Sequence, residues 1–130
     1  MMAQKSVYIR FQVPKDAADK AYQLLQVAKD TGKLRKGTNE STKAIERGIA
    51  KLVLIAEDVE PPQVVAHLPI LCDERKIPYL YVPSKLELGK SAGLDVGSAA
   101  ISVVEPGDGA QSLKELTKVF ENLRKTGAGK

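Results

Sequence analysis

A single cysteine, Cys72, and a single histidine, His67, are all the chain offers of the side chains that form disulfides or hold zinc. No internal disulfide can form and no Cys/His ligand set can assemble, which excludes disulfide-stapled and zinc-organised scaffolds. Tryptophan is absent, and aromatic residues make up 5% of the chain, too few to stack a succession of unpaired bases as single-strand-binding grooves do. No apolar run approaches the roughly 20 residues that cross a bilayer. The opening Met1-Met2-Ala3-Gln4-Lys5-Ser6 leads into Val7-Tyr8-Ile9-Arg10, far too short for the apolar core of a secretory signal. A cytoplasmic protein with no membrane contact is the expectation. Internal repeats and low-complexity linkers are also missing.

The 130 residues, 43% apolar and 28% charged, suit one domain around one core. The expected domain is 1–130, with 1–5 and the tail 126–130 flexible. Net charge is only +4, but it is concentrated. Between Lys29 and Lys51 stand seven bases and three acids, while the rest of the chain balances. Such a patch attracts a polyanion, nucleic acid or an anionic membrane surface, unless it is simply a solvated helix face. From Glu57 to Glu74 the opposite holds, with five acids and no Lys or Arg.

Hydrophobic periodicity alternates between helix and strand. Val13-Pro14-Lys15-Asp16 opens a helix whose Ala17, Ala21, Leu24, Leu25 and Ala28 recur at helical spacing until Gly32. Leu34 to Gly37 reads as a short strand or turn, and Thr38-Asn39 as the capping residues of a second helix ending at Gly48. Leu52 to Ala56 is an unbroken apolar run of strand length, buried on both faces at the centre of a sheet. After Pro61-Pro62 comes a helical stretch, interrupted by Pro69 and ending near Lys76, then a buried strand Tyr79 to Val82. Ser84 caps a short helix to about Ser91, Gly93 to Gly97 is a loop, Ala100 to Val104 a strand and Glu105 to Gly109 a turn. Leu113, Leu116, Val119, Phe120 and Leu123 form the apolar stripe of a last helix. The fold class is therefore α/β, a largely parallel or mixed sheet between helical layers.

Several motifs suggest chemistry and fall short of it. Ser84 to Ser91 approximates a phosphate-binding loop but lacks its first glycine and has Leu-Glu-Leu inside. Leu52 to Ile55 followed by Glu57-Asp58 mimics a magnesium-binding strand end, in a chain too small for most such enzymes. Asn39-Glu40-Ser41 is a glycosylation sequon with no secretory route to its enzyme. Glu57, Asp58 and Glu60 have no nucleophile or histidine placed beside them, and His67 and Cys72 read as core or surface residues rather than ligands. More informative is Lys36 to Gly48. On a helix, Asn39, Lys43 and Arg47 share one face, Glu40 sits beside Lys43, and Ala44 and Ile45 turn inward. Asn offers donor and acceptor to a base edge, Lys offers donors to guanine, and Glu accepts from base amino or imino groups. A carboxylate repels phosphate, so Glu40 in a basic patch fits a base reader; the alternative is a capped helix carrying an intrahelical Glu40–Lys43 pair. The loop Gly93-Leu94-Asp95-Val96-Gly97 either offers Leu94 and Val96 to a partner or tucks them into the core.

Taken in order, Leu34-Arg35-Lys36-Gly37-Thr38-Asn39-Glu40-Ser41-Thr42-Lys43, Glu46-Arg47-Gly48, Leu54 to Pro61, His67-Leu68-Pro69-Ile70-Leu71-Cys72, Ile77-Pro78-Tyr79 and Val82-Pro83-Ser84-Lys85 closely resemble the archaeal kink-turn-binding large-subunit ribosomal protein family. The resemblance spans essentially the whole folded chain. It implies a three-layer α/β/α sandwich with a mixed central sheet, no catalytic activity, no cofactor and no metal. It also implies binding to kink-turn and kink-loop RNA in the large ribosomal subunit, in box C/D and box H/ACA guide particles and in ribonuclease P. The partners would be those RNAs and other core proteins of the particles, with a monomer when free. Asn39, Glu40 and Lys43 would contact tandem sheared G·A pairs, with the backbone around Gly37 and Thr38 close to the RNA and Lys36 and Arg47 supplying charge. Glu60, Val64 and Lys85 would lie near an extruded nucleotide, and Leu94, Asp95 and Val96 would cap the bend. Asp95 stands where many relatives carry Glu. Two other classes remain to be weighed against this: a small nucleotide hydrolase, and a protein-only adaptor using the acidic Glu57 to Glu74 side.

Overall fold

The structure, a computed structural model, describes residues 8–128, the last three through their backbone alone. In chain order it runs α1 (Lys15–Thr31), β1 (Lys33–Lys36), α2 (Thr38–Glu46), β2 (Leu52–Ala56), a 3-10 turn (Pro62–Val64), α3 (His67–Arg75), β3 (Tyr79–Val82), α4 (Lys85–Ser91), β4 (Ala100–Glu105), a second 3-10 turn (Gly107–Gly109) and α5 (Ala110–Ala128). The expected flexible segment 1–5 lies outside the described residues, as do 129–130. At the other end the backbone of 126–128 continues α5, where the tail composition pointed to a frayed end.

The sheet has the order β1-β4-β2-β3. β2 is parallel to β3 and antiparallel to β4, and β1 is antiparallel to β4, so the sheet is mixed. Helices α1, α4 and α5 pack on one face and α2 and α3 on the other, which makes the three layers expected. With both faces covered, every residue of β2 is buried, the physical reason that Leu52 to Ala56 reads as an unbroken apolar run. Among the described residues the buried apolar side chains other than Ala28 form one cluster.

β3 is buried as its apolar run predicts, although its place in the sheet leaves one side without a strand partner. The segment Tyr8 to Phe11 lies over it. The Tyr81 hydroxyl donates to the Tyr8 carbonyl at 2.6 Å and accepts the Arg10 N–H at 3.1 Å, and the Tyr8 hydroxyl donates to the Ala56 carbonyl at 2.7 Å. Tyr8, Phe11, Tyr79, Tyr81 and Phe120 stack around this edge, with Phe11–Tyr81 and Tyr79–Phe120 centroids 5.1 and 5.0 Å apart. Tyr8, Phe11 and Phe120 thus pack on Tyr79 and Tyr81, so that five of the six aromatic side chains gather at the edge strand.

Two local expectations are corrected. Pro69 does not interrupt α3; it is the third residue of the helix, where its missing N–H has no intrahelical acceptor anyway. Thr38 and Asn39 do not cap α2. The cap position is Gly37, at φ +100°, and no side chain bonds there, while Thr38 and Asn39 belong to the first turn. Ser84 does cap α4, its Oγ accepting the Glu87 N–H at 3.1 Å, and Cys72 is fully buried in α3, its thiol pushed up to about 12 by desolvation and by Asp73.

Replacing Tyr81 with Phe leaves the Tyr8 carbonyl and the Arg10 N–H without their shared partner. Loss of such buried bonds costs about 1–3 kcal/mol; urea unfolding is expected to show the midpoint falling with an unchanged m-value.

Candidate functional site

Strand direction gathers the site. In the register, Ala56 faces Val82, Ile55 faces Ala100, and Lys36 faces Ile101. The C-terminal ends of β1, β2 and β3 and the start of β4 therefore lie at the same end of the sheet. The segments leaving there are Gly37 to Lys43, Glu57 to Val64, Pro83 to Lys85 and Gly93 to Ala99, which carry every candidate residue except Lys36, at the end of β1 itself, and Arg47.

At the centre of this end is the β1–α2 junction. The Gly37 N–H donates to the Ala100 carbonyl at 2.8 Å, tying the turn to β4. Its φ of +100° is one that L side chains rarely adopt, although a Cβ there would meet open space; glycine is needed for the backbone and not for room. The turn delivers α2 with the N–H groups of Thr38, Asn39 and Glu40 in its first turn, where no intrahelical acceptor exists and the helix dipole is positive. These residues line an open groove of about 690 Å³ together with Lys36, Gly37, Val64 and His67. Asn39 and Glu40 are exposed. The Lys43 ammonium lies 3.6 Å from the Glu40 carboxylate, each about half exposed. A pair of that kind on a helix surface contributes about 0.2–0.5 kcal/mol, so a ligand displaces it at little cost. Ser41, Ala44 and Ile45 point into the core.

Arg47 is not part of this arrangement. α2 ends at Glu46 and Arg47 is its C-cap, about 12 Å along the helix axis from Asn39 at 1.5 Å per residue. Arg47 nonetheless keeps the helical spacing of Asn39 and Lys43, its N–H donating to the Lys43 carbonyl at 2.9 Å, but it does not line the groove. Val64 does reach the groove and is 40% exposed. Glu60 and Lys85 are exposed beside it in chain position without lining it.

The second part of the surface is the loop after α4. Leu94 is half-buried, and Asp95 and Val96 are exposed, Val96 at 66%. The loop is held against α4 by the Leu94 N–H to the Gly89 carbonyl and the Ser98 N–H to the Lys85 carbonyl, both 2.9 Å. Gly89 has no room for a side chain, since a Cβ would sit 2.0 Å from the Val96 carbonyl oxygen. The glycine that made Ser84 to Ser91 look like a phosphate loop is instead a close-contact site that seats the 94–96 loop.

Three residues with local roles were not assigned them from sequence. His67, read as core or surface, is exposed in the groove with Nε2 2.9 Å from Thr42 Oγ1. Since Thr42 donates its own hydroxyl hydrogen to the Thr38 carbonyl, the imidazole Nε2–H is the donor between them. Asp58 accepts the Lys85 N–H at 2.9 Å, so it anchors the start of α4 rather than serving an acid/base group. Tyr22 bonds the Ser84 backbone, accepting its N–H at 3.2 Å. Among the described residues, no group of three or more His, Cys, Asp or Glu could hold a metal, and no helix is long and apolar enough to cross a membrane.

The architecture is similar to that of the 15.5 kD RNA-binding protein of Giardia lamblia, with a TM-score of 0.84 and 26% identity over 94% of this chain and 99% of that one. The sequence pattern described as the "Ribosomal protein L7Ae/L30e/S12e/Gadd45 family" matches residues 19–112, a span from within α1 to the start of α5 that includes every candidate residue. The chain belongs to that family.

Proposed function

We propose that this protein binds RNA through the loop end of its sheet and recognises kink-turn and kink-loop motifs, acting as a non-catalytic component of ribonucleoprotein particles. The observation that carries the reading is the first turn of α2. Exposed Asn39 and Glu40, with Lys43 one turn on, stand beside free backbone N–H groups in an open groove. Backbone amides and lysines favour phosphate, whereas an exposed carboxylate opposes it and is useful only toward base amino and imino groups. Tandem sheared G·A pairs present both kinds of group. The five aromatics committed to the β3 edge leave recognition to a folded RNA shape and a few base edges rather than to serial stacking.

On this reading Lys36, Gly37, Thr38, Asn39, Glu40 and Lys43 face the paired bases, and Glu60, Val64 and Lys85 flank an extruded nucleotide. Leu94, Asp95 and Val96 cover the bend, and Arg47 adds charge at a distance. A sharp bend crowds phosphates of two strands, and Lys36, Lys43 and Lys85 with the free N–H groups at the start of α2 favour that state in the RNA ensemble, whereas Lys33 and Lys51 of the basic stretch lie at the other end of the sheet. The particles that fit are the large ribosomal subunit, box C/D and box H/ACA guide particles and ribonuclease P of archaeal type, in the cytoplasm.

An electrophoretic titration at fixed salt against a kink-turn RNA, and against the same RNA with its G·A pairs changed to Watson–Crick pairs, tests this. Tight binding to the first alone is expected; equal weak binding to both overturns the reading. Glu40→Ala is expected to reduce discrimination between the two RNAs by about 1–3 kcal/mol, the worth of a good base contact, whereas equal loss on both excludes a base-reading role. Gly89→Ala forces the Val96 carbonyl to move, and its expected effect is weaker binding to kink-loops, which keep fewer paired contacts, measured by the same titration. Unchanged kink-loop affinity in a folded Gly89→Ala variant removes the 94–96 loop from the interface.

A further inference from the structure

The opposite end of the sheet, where β2 and β3 begin beside α5, carries a second groove of about 810 Å³. Its charged lining is contributed by Lys51, which precedes β2, and by Lys114 and Lys118 of α5, with Glu115 and Glu121. Lys114 and Lys118 are four residues apart and share a helix face, while Lys51 enters from the sheet. All three are exposed, and among the described residues none has a carboxylate within ion-pair distance. The two acids do not balance them. Glu115 is bound by Lys20 and by the Gln111 amide at 3.3 Å, contacts that hold its carboxyl below the ordinary carboxylate range. Glu121 alone is left to face three cations. The adjoining pocket, which shares Pro78, Thr117 and Glu121, sets Lys76 and Arg124 against Asp73 and Glu121 and is balanced in sign, so the positive excess is confined to the first groove.

Three unpaired like charges around one concavity repel each other in the free protein, and a polyanion relieves that repulsion. Lysines are point charges that follow a phosphodiester backbone without reading bases. The uncharged polar groups of the lining are partly engaged, one Gln111 N–H on Glu115 and the Thr117 hydroxyl on the Leu113 carbonyl at 2.8 Å, so the free charge of the groove lies on its lysines. We propose that this groove is a second RNA contact, which takes the phosphate backbone of a helical segment distinct from the one bound at the loop end. The inference rests on the reading that the protein works on RNA. β2 separates the two ends by about 17 Å, so the motif held at the start of α2 does not occupy both sites, and the two together would clamp separate stretches of a large RNA.

The test uses the full chain bound to kink-turn RNA, titrated with a labelled RNA duplex of about 16 base pairs that lacks G·A pairs. The wild-type complex is expected to bind the duplex. The triple variant Lys51→Gln, Lys114→Gln, Lys118→Gln is expected to lose about tenfold or more in duplex affinity, with the log–log salt slope reduced by about three, one for each lysine on a phosphate. Its kink-turn affinity should be unchanged. Glu121→Gln, which removes the opposing charge, is expected to strengthen duplex binding. Equal duplex binding by wild type and triple variant overturns the proposal. So does lysine-dependent binding of polyglutamate as tight as that of the duplex, which would assign the groove to an acidic protein. If the wild type fails to hold the kink-turn RNA, the loop-end reading falls, and titration of the free protein with the duplex still decides the groove.

Discussion

Everything at the candidate interface depends on the way β2 is paired. It lies parallel to β3 on one side and antiparallel to β4 on the other, with β1 antiparallel to β4 beyond. Three strands consequently finish, and one begins, at the same end of the sheet. Reversing any one of them would carry its loop to the far side of the molecule. The full burial of Leu52 to Ala56 holds the register, because a slip disturbs the packing of both helical layers.

Two glycines then shape the surface by different means. Gly37 supplies a backbone conformation that turns the chain from β1 into α2, anchored on the Ala100 carbonyl. Gly89 supplies missing volume, which lets the 94–96 loop lie directly on α4. The polar residues presented between these fixed points are weakly engaged in the free protein, as the 3.6 Å Glu40–Lys43 pair illustrates. A rigid scaffold carrying lightly held side chains suits a binder that selects a preformed RNA shape with little reorganisation of its own. The aromatic residues contribute in another way: their rings pack together at β3, where all four residues of the edge strand are buried.

What could be read from the sequence follows from locality. The apolar spacing of α1, the runs that became β2 and β3, and the Ser84 cap of α4 depend on neighbours within a few residues, and the structure matches them closely. Misreadings arose where a residue's role is set by distant chain. Pro69 looks like a breaker until the helix start is fixed at His67, and the edge position of β3 is invisible because Tyr8 to Phe11 bury it from elsewhere in the chain. Arg47 keeps the helical spacing of Asn39 and Lys43 as the αR C-cap of α2, yet about two turns along the helix it falls outside the groove. Asp58 and Gly89 carried misleading local signals, an acidic strand end and an imperfect phosphate loop, whereas their roles are contacts across 27 residues and across the α4–β4 loop. His67 gave no sequence signal for its place in the groove beyond its closeness to Val64, since the bond to Thr42 spans 25 residues.

The proposed function requires the loop end of the sheet to be one continuous RNA surface. Titrating isotope-labelled protein with a kink-turn RNA and following backbone amide shifts by NMR tests it most directly. The prediction is that shifts concentrate in 37–43, 57–64, 83–85 and 93–99 together, in slow exchange. Shifts confined to only one of these segments, or centred on the opposite end around Lys51 and α5, would contradict it.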